Sequence, residues 1–231
     1  MEMQDKEGSG DERLWDEVDV FLSQKLRTSD AVLEAALRES ERAGLPAIQI
    51  TPNQGRMLQL LAQTQGANRI LEIGTLGGYS TICLARALSS NGSIVSLELK
   101  AEYAAVARKN IERAGLQNLV TIVVGDARQS LQQLVANKTP QFDLIFIDAD
   151  KAGYPEYFDW SLKLSRSGTL IVADNIVRKG AVVDADSSDA NVQGVRRMLD
   201  LVAAEPRVIA TAIQTVGSKE YDGFVLARVT S

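Results

Sequence analysis

From about residue 69 onward the chain alternates between short apolar runs and stretches whose apolar residues recur every three or four positions. The runs near 70–74, 93–98, 120–124, 142–147, 168–173, 207–213 and 222–229 predict strands. The stretches near 79–89, 101–114, 127–136, 153–165 and 190–204 predict helices. Such alternation predicts an α/β fold, a mainly parallel sheet with helices on both faces. Only Thr215 to Tyr221 separates the last two strands, too short a link for a crossover helix, so these two should pair antiparallel. No internal repeat and no domain boundary interrupts the pattern.

Upstream, Leu14, Val18, Phe21 and Leu22 recur at helical spacing, and so do Val32, Leu33, Ala36 and Leu37. Gly44-Leu45-Pro46 breaks the second pattern. Thr51-Pro52 opens a third helix, with Thr51 as N-cap and Pro52 at the first helical position. Met57, Leu58, Leu60 and Leu61 give that helix an apolar face. Residues 1–10 are polar and charged and are expected to form a disordered tail.

Composition narrows the chemistry. The 231 residues suit one domain, and a net charge of −5 argues against a nucleic-acid partner. Cys83 is the only cysteine, which excludes an intrachain disulfide and makes the cytosol the expected compartment; its apolar neighbours assign it to core packing. There is no histidine, so Ser-His and Cys-His catalysis and His-ligated zinc are excluded. Any metal must be held by carboxylate, amide and water oxygens, which favours magnesium, calcium or manganese. No span of about 20 apolar residues exists, so no membrane crossing is expected. Met1 to Asp16 carries no apolar stretch of the signal-peptide kind.

Two strands end in oxygen-bearing side chains. Phe142-Asp143-Leu144-Ile145-Phe146-Ile147 runs into Asp148-Ala149-Asp150-Lys151, and Thr169-Leu170-Ile171-Val172-Ala173 runs into Asp174-Asn175. If the two ends converge, Asp148, Asp174 and Asn175 offer three oxygens for a hard cation, with Lys151 beside them as a proton acceptor. The plainer alternatives are a helix cap at Asp148, an ordinary turn at Asp174-Asn175 and a solvated Lys151. A second signal is the glycine turn Ile70-Leu71-Glu72-Ile73-Gly74-Thr75-Leu76-Gly77-Gly78-Tyr79-Ser80, running from strand to helix. It permits close approach of backbone to a ligand, but it matches neither G-x-G-x-x-G nor a phosphate loop. Glu98 ends the next strand, where an acid suits the two hydroxyls of a ribose. Asp126 follows the third strand and suits an adenine amino group, a helix cap, or both. Together these place an adenosine-type cofactor across the strand ends.

At these residues the chain resembles the cation-dependent class I S-adenosylmethionine O-methyltransferases, the caffeoyl-CoA and catechol O-methyltransferase group. The resemblance covers nearly all of residues 45–231. It rests on Glu72-Ile73-Gly74-Thr75-Leu76-Gly77-Gly78-Tyr79-Ser80, on Phe146-Ile147-Asp148-Ala149-Asp150-Lys151 with Tyr154, and on Asp174-Asn175 followed by Gly180. It implies a single-domain, Rossmann-like class I methyltransferase fold over 11–231, with sheet order 3-2-1-4-5-7-6 and the last strand antiparallel. The helices within 11–65 would form a cap over the cofactor and substrate site, and a homodimer is implied. Residue by residue, it implies Asp148, Asp174 and Asn175 as ligands of Mg²⁺ (or Ca²⁺ or Mn²⁺). It implies Lys151, with Asp148, as the catalytic pair. Glu72, Gly74, Gly78 and Ser80 would surround the methionine moiety of S-adenosylmethionine. Glu98 would hold the ribose and Asp126-Ala127 the adenine, with Asp148 at the cofactor's edge. Ile50-Thr51 would close over the cofactor.

One segment departs from the family pattern. Val216 to Phe224 is longer than the usual Gly-Asp-Gly hairpin and should lie near the substrate mouth. With no long insertion to wrap coenzyme A, a small phenol with vicinal hydroxyls is the expected acceptor. The competing readings are a nicotinamide-dependent dehydrogenase, disfavoured by the glycine spacing, and a non-catalytic cofactor-binding scaffold.

Overall fold

The computed structural model describes residues 5–231, with side chains from residue 11 onward. The first helix, α1, spans Asp5–Leu26. Residues 5–10, expected to be disordered, are therefore its beginning; the rest of that expected tail, 1–4, lies outside the described residues. Helix α2 covers Ala31–Arg42 and is capped by Asp30, whose carboxylate accepts from Val32 N and Leu33 N. Helix α3, Pro52–Gln65, has the expected Thr51 N-cap, completed as a capping box by Gln54.

The seven strands are β1 (Arg69–Ile73), β2 (Ser93–Glu98), β3 (Val120–Val124), β4 (Phe142–Ile147), β5 (Ser165–Asp174), β6 (Val208–Thr215) and β7 (Asp222–Val229). The helices between them are α4 (Tyr79–Ala85), α5 (Ala101–Arg113), α6 (Ala127–Ala136), α7 (Tyr154–Lys163) and α8 (Ala190–Ala204). The sheet order is β3-β2-β1-β4-β5-β7-β6, with β7 antiparallel to both neighbours, as expected from the sequence.

Two apolar layers enclose the sheet. One packs α7, α8 and Leu131 of α6 around Phe142, Ile145 and Ile171. The other packs α2, α3, α4 and α5 around Ile70, Leu144, Phe146 and Val172. Each fully buried Leu, Ile or Phe contributes roughly 1.5–3 kcal/mol. Asp143, an acid inside β4, survives burial because Asn68 N and Arg69 N donate to one of its oxygens and Arg166 to the other. Burial raises its pKa, but these donors more than offset that and hold it below the usual carboxylate range. Cys83 is buried in α4 and its thiol is pushed up to about 12 by burial, consistent with packing.

Four details depart from the sequence pattern. The apolar stripe of α1 is not buried: Leu14 and Phe21 are each 55% exposed. Leu60, assigned to the apolar face of α3, points to solvent, while Leu58 is buried. Helix α4 stops at Ala85 rather than 89, and β5 begins at Ser165 rather than 168. None of the helices of the described residues is long and apolar enough to cross a membrane.

Candidate active site

The strand register decides which side chains meet. Ile73 of β1 pairs with Leu97 of β2 and with Ile147 of β4, and Ile147 pairs with Ala173 of β5. One residue further on, Glu98, Gly74, Asp148 and Asp174 therefore stand in a row along the C-terminal edge of the sheet. Neighbouring strands lie about 4.8 Å apart, so Asp148 and Asp174 stand side by side, with Glu98 on the far side of Gly74. Gly74 makes the row possible. Its φ is +98°, and a Cβ there would sit 2.1 Å from the Asp148 carbonyl oxygen.

Lys151 lies in a single 3₁₀ turn over Lys151–Gly153. Its Nζ donates to Asp148 Oδ1 at 2.9 Å in a largely buried ion pair. Asp148 does not cap this turn. Asp150 does, accepting from Gly153 N at 3.0 Å, and that leaves Asp148 for Lys151. Asp174 is 5% exposed; burial first, and then the charge of Asp148, push its carboxyl above the usual range. Its Oδ1 accepts from Asn175 N at 2.8 Å, and Asn175 takes a left-handed φ of +55°. This is more than an ordinary turn, because Tyr154 Oη, fully buried, donates to the main-chain carbonyls of Asp174 (2.8 Å) and Ile147 (3.2 Å).

The edge opens onto a cavity of about 630 Å³. Gly74, Ser80, Glu98, Asp126 and Ala127 line it, as do Asp148, Lys151, Asn175 and Ile50. Glu98 is held rigidly: Oε2 accepts from Leu76 N (2.9 Å) and Thr75 N (3.3 Å), and Oε1 from Lys100 N (3.0 Å). Asp126 caps α6 through Arg128 N at 2.7 Å and also lines the cavity. Glu72 stands behind the wall, wholly buried, and accepts from the hydroxyls of Ser80, Thr81 and Ser96. Burial raises its pKa to about 7 despite those three donors. Gly78 faces away from the cavity, packed on Ala107 of α5.

A second cavity of about 190 Å³ adjoins the first and shares Asn175 with it. Its walls come from Thr51, Asn53 and Met57, from Asp19 of α1, and from the hairpin residues Val216, Gly217, Lys219, Asp222 and Phe224. Thr51 thus lines this chamber rather than the larger one. Asp174 borders a small recess between Ile50, Phe146 and Phe224 instead of either cavity. Sequence reasoning missed Tyr79, Lys100, Tyr103, Arg178 and Asn191, all on the larger cavity. Tyr79, inside the glycine-turn motif, and Lys100, two residues past Glu98, carried a positional signal.

The donor set suits a hard dication. Asp148 and Asp174 end adjacent strands, Asp174 is buried against the charge of Asp148, and Asn175 follows it in the chain. Among the described residues no three His, Cys, Asp or Glu side chains form a group that could hold a metal ion, so a cation at this edge would need the amide of Asn175 as third donor.

A seven-stranded sheet of this order, with a cavity at the carboxyl ends of its central strands, is the class I methyltransferase fold. An O-methyltransferase family model matches residues 24–229. A catechol O-methyltransferase from Niastella koreensis is 52% identical over 94% of this chain and 98% of its own length. An O-methyltransferase from Bacillus cereus, solved in complex with SAH, is 56% identical with a TM-score of 0.93, covering 94% of this chain and 99% of that one. The O-methyltransferase TomG from Streptomyces achromogenes, involved in tomaymycin synthesis and solved in complex with SAM, is 46% identical with a TM-score of 0.92 over 95% and 99% of the two chains. The chain belongs to the O-methyltransferase family. It is an enzyme that transfers a methyl group to oxygen, and the dehydrogenase and scaffold readings are set aside.

Proposed function

We propose that the protein is an S-adenosylmethionine-dependent, divalent-cation-dependent O-methyltransferase acting on a small phenol with vicinal hydroxyls. The observation that carries the reading is the row Gly74–Asp148–Asp174 with Lys151 paired to Asp148, standing where two cavities meet at Asn175. The larger cavity suits the cofactor and the smaller one the acceptor. The catechol O-methyltransferase activity of the Niastella relative and the SAM or SAH bound in the two solved relatives support the same assignment.

In this reading Glu98 holds the ribose hydroxyls through Oε1, which accepts only one backbone N–H and keeps a lone pair, while the two N–H groups on Oε2 fix the carboxylate in place. Asp126 and Ala127 face the adenine, and Gly74 and Ser80 border the methionine moiety, with Glu72 fixing the Ser80 hydroxyl. Asp148, Asp174 and Asn175 hold the cation. S-adenosylmethionine, when bound, supplies a methyl group on a sulfonium, and the cation, when bound, lowers the pKa of two adjacent hydroxyls and orients them. Lys151 would take the hydroxyl proton at Nζ as a free amine, once a bound cation claims Asp148 in place of the ion pair. The cavity walls hold oxygen, methyl and sulfur in line. Ile50 and the segment before it, with the helices of 11–65, close the site from above.

The test is product analysis with catechol, S-adenosylmethionine and magnesium, with and without prior chelation. Methylated catechol that depends on added magnesium is expected. Unchanged turnover after complete metal removal would reject the cation, and no product from any vicinal diol would reject the acceptor class. A homodimer belongs to the same proposal, since a second copy would cover the exposed apolar stripe of α1. Light scattering at several concentrations checks it. The cytosol is the compartment proposed, from the single buried cysteine.

A further inference from the structure

Helix α8 carries a buried glycine in its interior, Gly194, and this glycine rests on the backbone of the turn that bears Lys151. A Cβ built there would stand 2.1 Å from the Lys151 carbonyl oxygen, 2.8 Å from its carbonyl carbon and 2.7 Å from Ala152 Cα. No side chain fits at those distances, and the obstruction is main chain, which cannot swing aside. Glycine is a poor residue for a helix interior, because it gives up the most backbone freedom on folding. Its place in α8 therefore marks a close approach of backbone to backbone rather than a helical preference.

The approach falls where Lys151 needs it. A lysine side chain is a flexible four-carbon stem, so the place of its amine depends on where its Cα is fixed. Two contacts steady Nζ directly: the 2.9 Å ion pair with Asp148 and the ring of Tyr154, whose centroid lies 5.3 Å away. In the proposed chemistry the ion pair is given up, and the seat of the turn has to do more of the holding. Asp150 closes that turn through Gly153 N, Gly74 admits the Asp148 carbonyl, and Gly194 admits the Lys151 carbonyl. One turn before Gly194, Asn191 reaches the larger cavity beside Lys151. Helix α8 also backs the segment that follows Asn175: Arg196 donates to the Val182 carbonyl at 2.6 Å, and Gln193 to those of Ala185 and Ser187 at 2.9 Å.

We propose that Gly194 is a positioning residue for methyl transfer: by letting α8 close onto the Lys151 carbonyl, it fixes the Lys151 Cα and so the reach of Nζ to the acceptor hydroxyl. The inference rests on Lys151 being the proton acceptor, as proposed above. Alanine at 194, although the better helix former, drives a methyl into that carbonyl and displaces the turn from the helix. The amine then leaves its place, while Ser80, Glu98 and Asp126, carried by other elements, keep theirs.

The experiment is a double-mutant cycle between Gly194→Ala and Lys151→Met, with catechol, magnesium and saturating S-adenosylmethionine. Gly194→Ala should lower kcat by about tenfold or more, with the calorimetric Kd of S-adenosylmethionine held within about twofold. In the Lys151→Met background the same substitution should change kcat by less than about twofold, since no amine is left to misplace. Val202→Ala, buried near the other end of α8, controls for general loosening and should keep kcat within about twofold of the wild type. An unchanged kcat in Gly194→Ala, equal factors lost in both backgrounds, or an equal loss in Val202→Ala overturns the inference and leaves Lys151 as the base. Full turnover in Lys151→Met removes the base itself, and the inference falls with it. The unsubstituted protein gives a readout that needs neither activity nor a folded variant. Hydrogen exchange at Gly153 N, which donates to Asp150, should be protected to within about tenfold of the α8 amides, as expected of a turn that opens with the helix. A turn that exchanges far faster than α8 overturns the inference. Should Gly194→Ala not fold, or no acceptor be methylated, this comparison decides.

Discussion

Tyr154 ties the two halves of the site together through one hydroxyl. Its Oη lies 2.8 Å from the main-chain carbonyl of Asp174 and 3.2 Å from that of Ile147, the residue before Asp148. One side chain from α7 thus sets the spacing of the two strand ends from beneath. Burial raises the phenol's pKa well above its ordinary value, and the charges of Asp148 and Asp174 add to this, so the group stays a donor. Tyr154→Phe should remove that tie and leave the Asp174 carbonyl without its only side-chain donor. A loss of about 1–3 kcal/mol in stability is expected, read by urea denaturation. Turnover should fall by more than cofactor affinity does, because the donor-oxygen spacing widens while the adenosine side is untouched. Equal losses in both would assign Tyr154 to packing alone.

Lys151 separates binding from chemistry. Lys151→Met keeps the length of the side chain but neither accepts a proton nor pairs with Asp148. The expected result is a fall in kcat of about 100-fold or more with S-adenosylmethionine affinity nearly unchanged, as measured by calorimetry and initial rates. Activity of Lys151→Met should recover partly as pH rises toward the phenol's own pKa of about 10, where deprotonation needs no help. Lost cofactor affinity instead would move Lys151 into the cofactor site.

The sheet was legible because buried parallel strands read as near-continuous apolar runs, and five of them end in turn or acid signals. The row Gly74–Asp148–Asp174 followed, since Gly74 and Asp148 come directly after their strands and Asp174 closes its own. What apolar periodicity lacks is knowledge of what an element packs against. The stripe Leu14, Val18, Phe21 and Leu22 has a regular period and yet stays exposed within the chain. Choosing between Asp148 and Asp150 as helix cap was equally out of reach, because the two acids stand two residues apart and only the turn geometry selects Asp150. The smaller cavity joins Asp19, Thr51, Asn175 and Lys219, which only tertiary packing brings together. Arg178 carried no sequence signal at all; only the fold places it on the larger cavity.

Gly74 should tolerate no side chain. Alanine there would drive a methyl into the Asp148 carbonyl oxygen and impose a positive φ on a residue with a Cβ. We expect Gly74→Ala to cost about 3 kcal/mol, from overpacking and left-handed backbone strain together. Cofactor affinity should fall with it, since the turn carries Thr75 and Leu76, whose N–H groups fix Glu98. Denaturant unfolding and calorimetry test the two parts; a stable variant with weakened cofactor binding would show that the strain is relieved by moving the turn.

Glu72 gives the stability of the metal-free protein a pH dependence. Its pKa is raised from 4.5 to about 7, first by burial and in smaller part by Asp148, against the opposing pull of Ser80, Ser96 and Thr81. A raised carboxyl pKa means that the folded chain holds a proton the unfolded chain has released. Between about pH 4.5 and 7 the folded state therefore binds more protons, and stability must decline as pH rises through that window. The contribution is on the order of a few kcal/mol when fully lost, at 1.36 kcal/mol per unit. Glu72→Gln keeps a neutral group of the same shape and cannot ionise. In chelator, the stability advantage of the wild type over Glu72→Gln should be greatest near pH 5 and should shrink or reverse by pH 8. Melting temperatures of both proteins across that range decide the matter: parallel curves would show that Glu72 stays ionised in the fold, held so by its three hydroxyl donors.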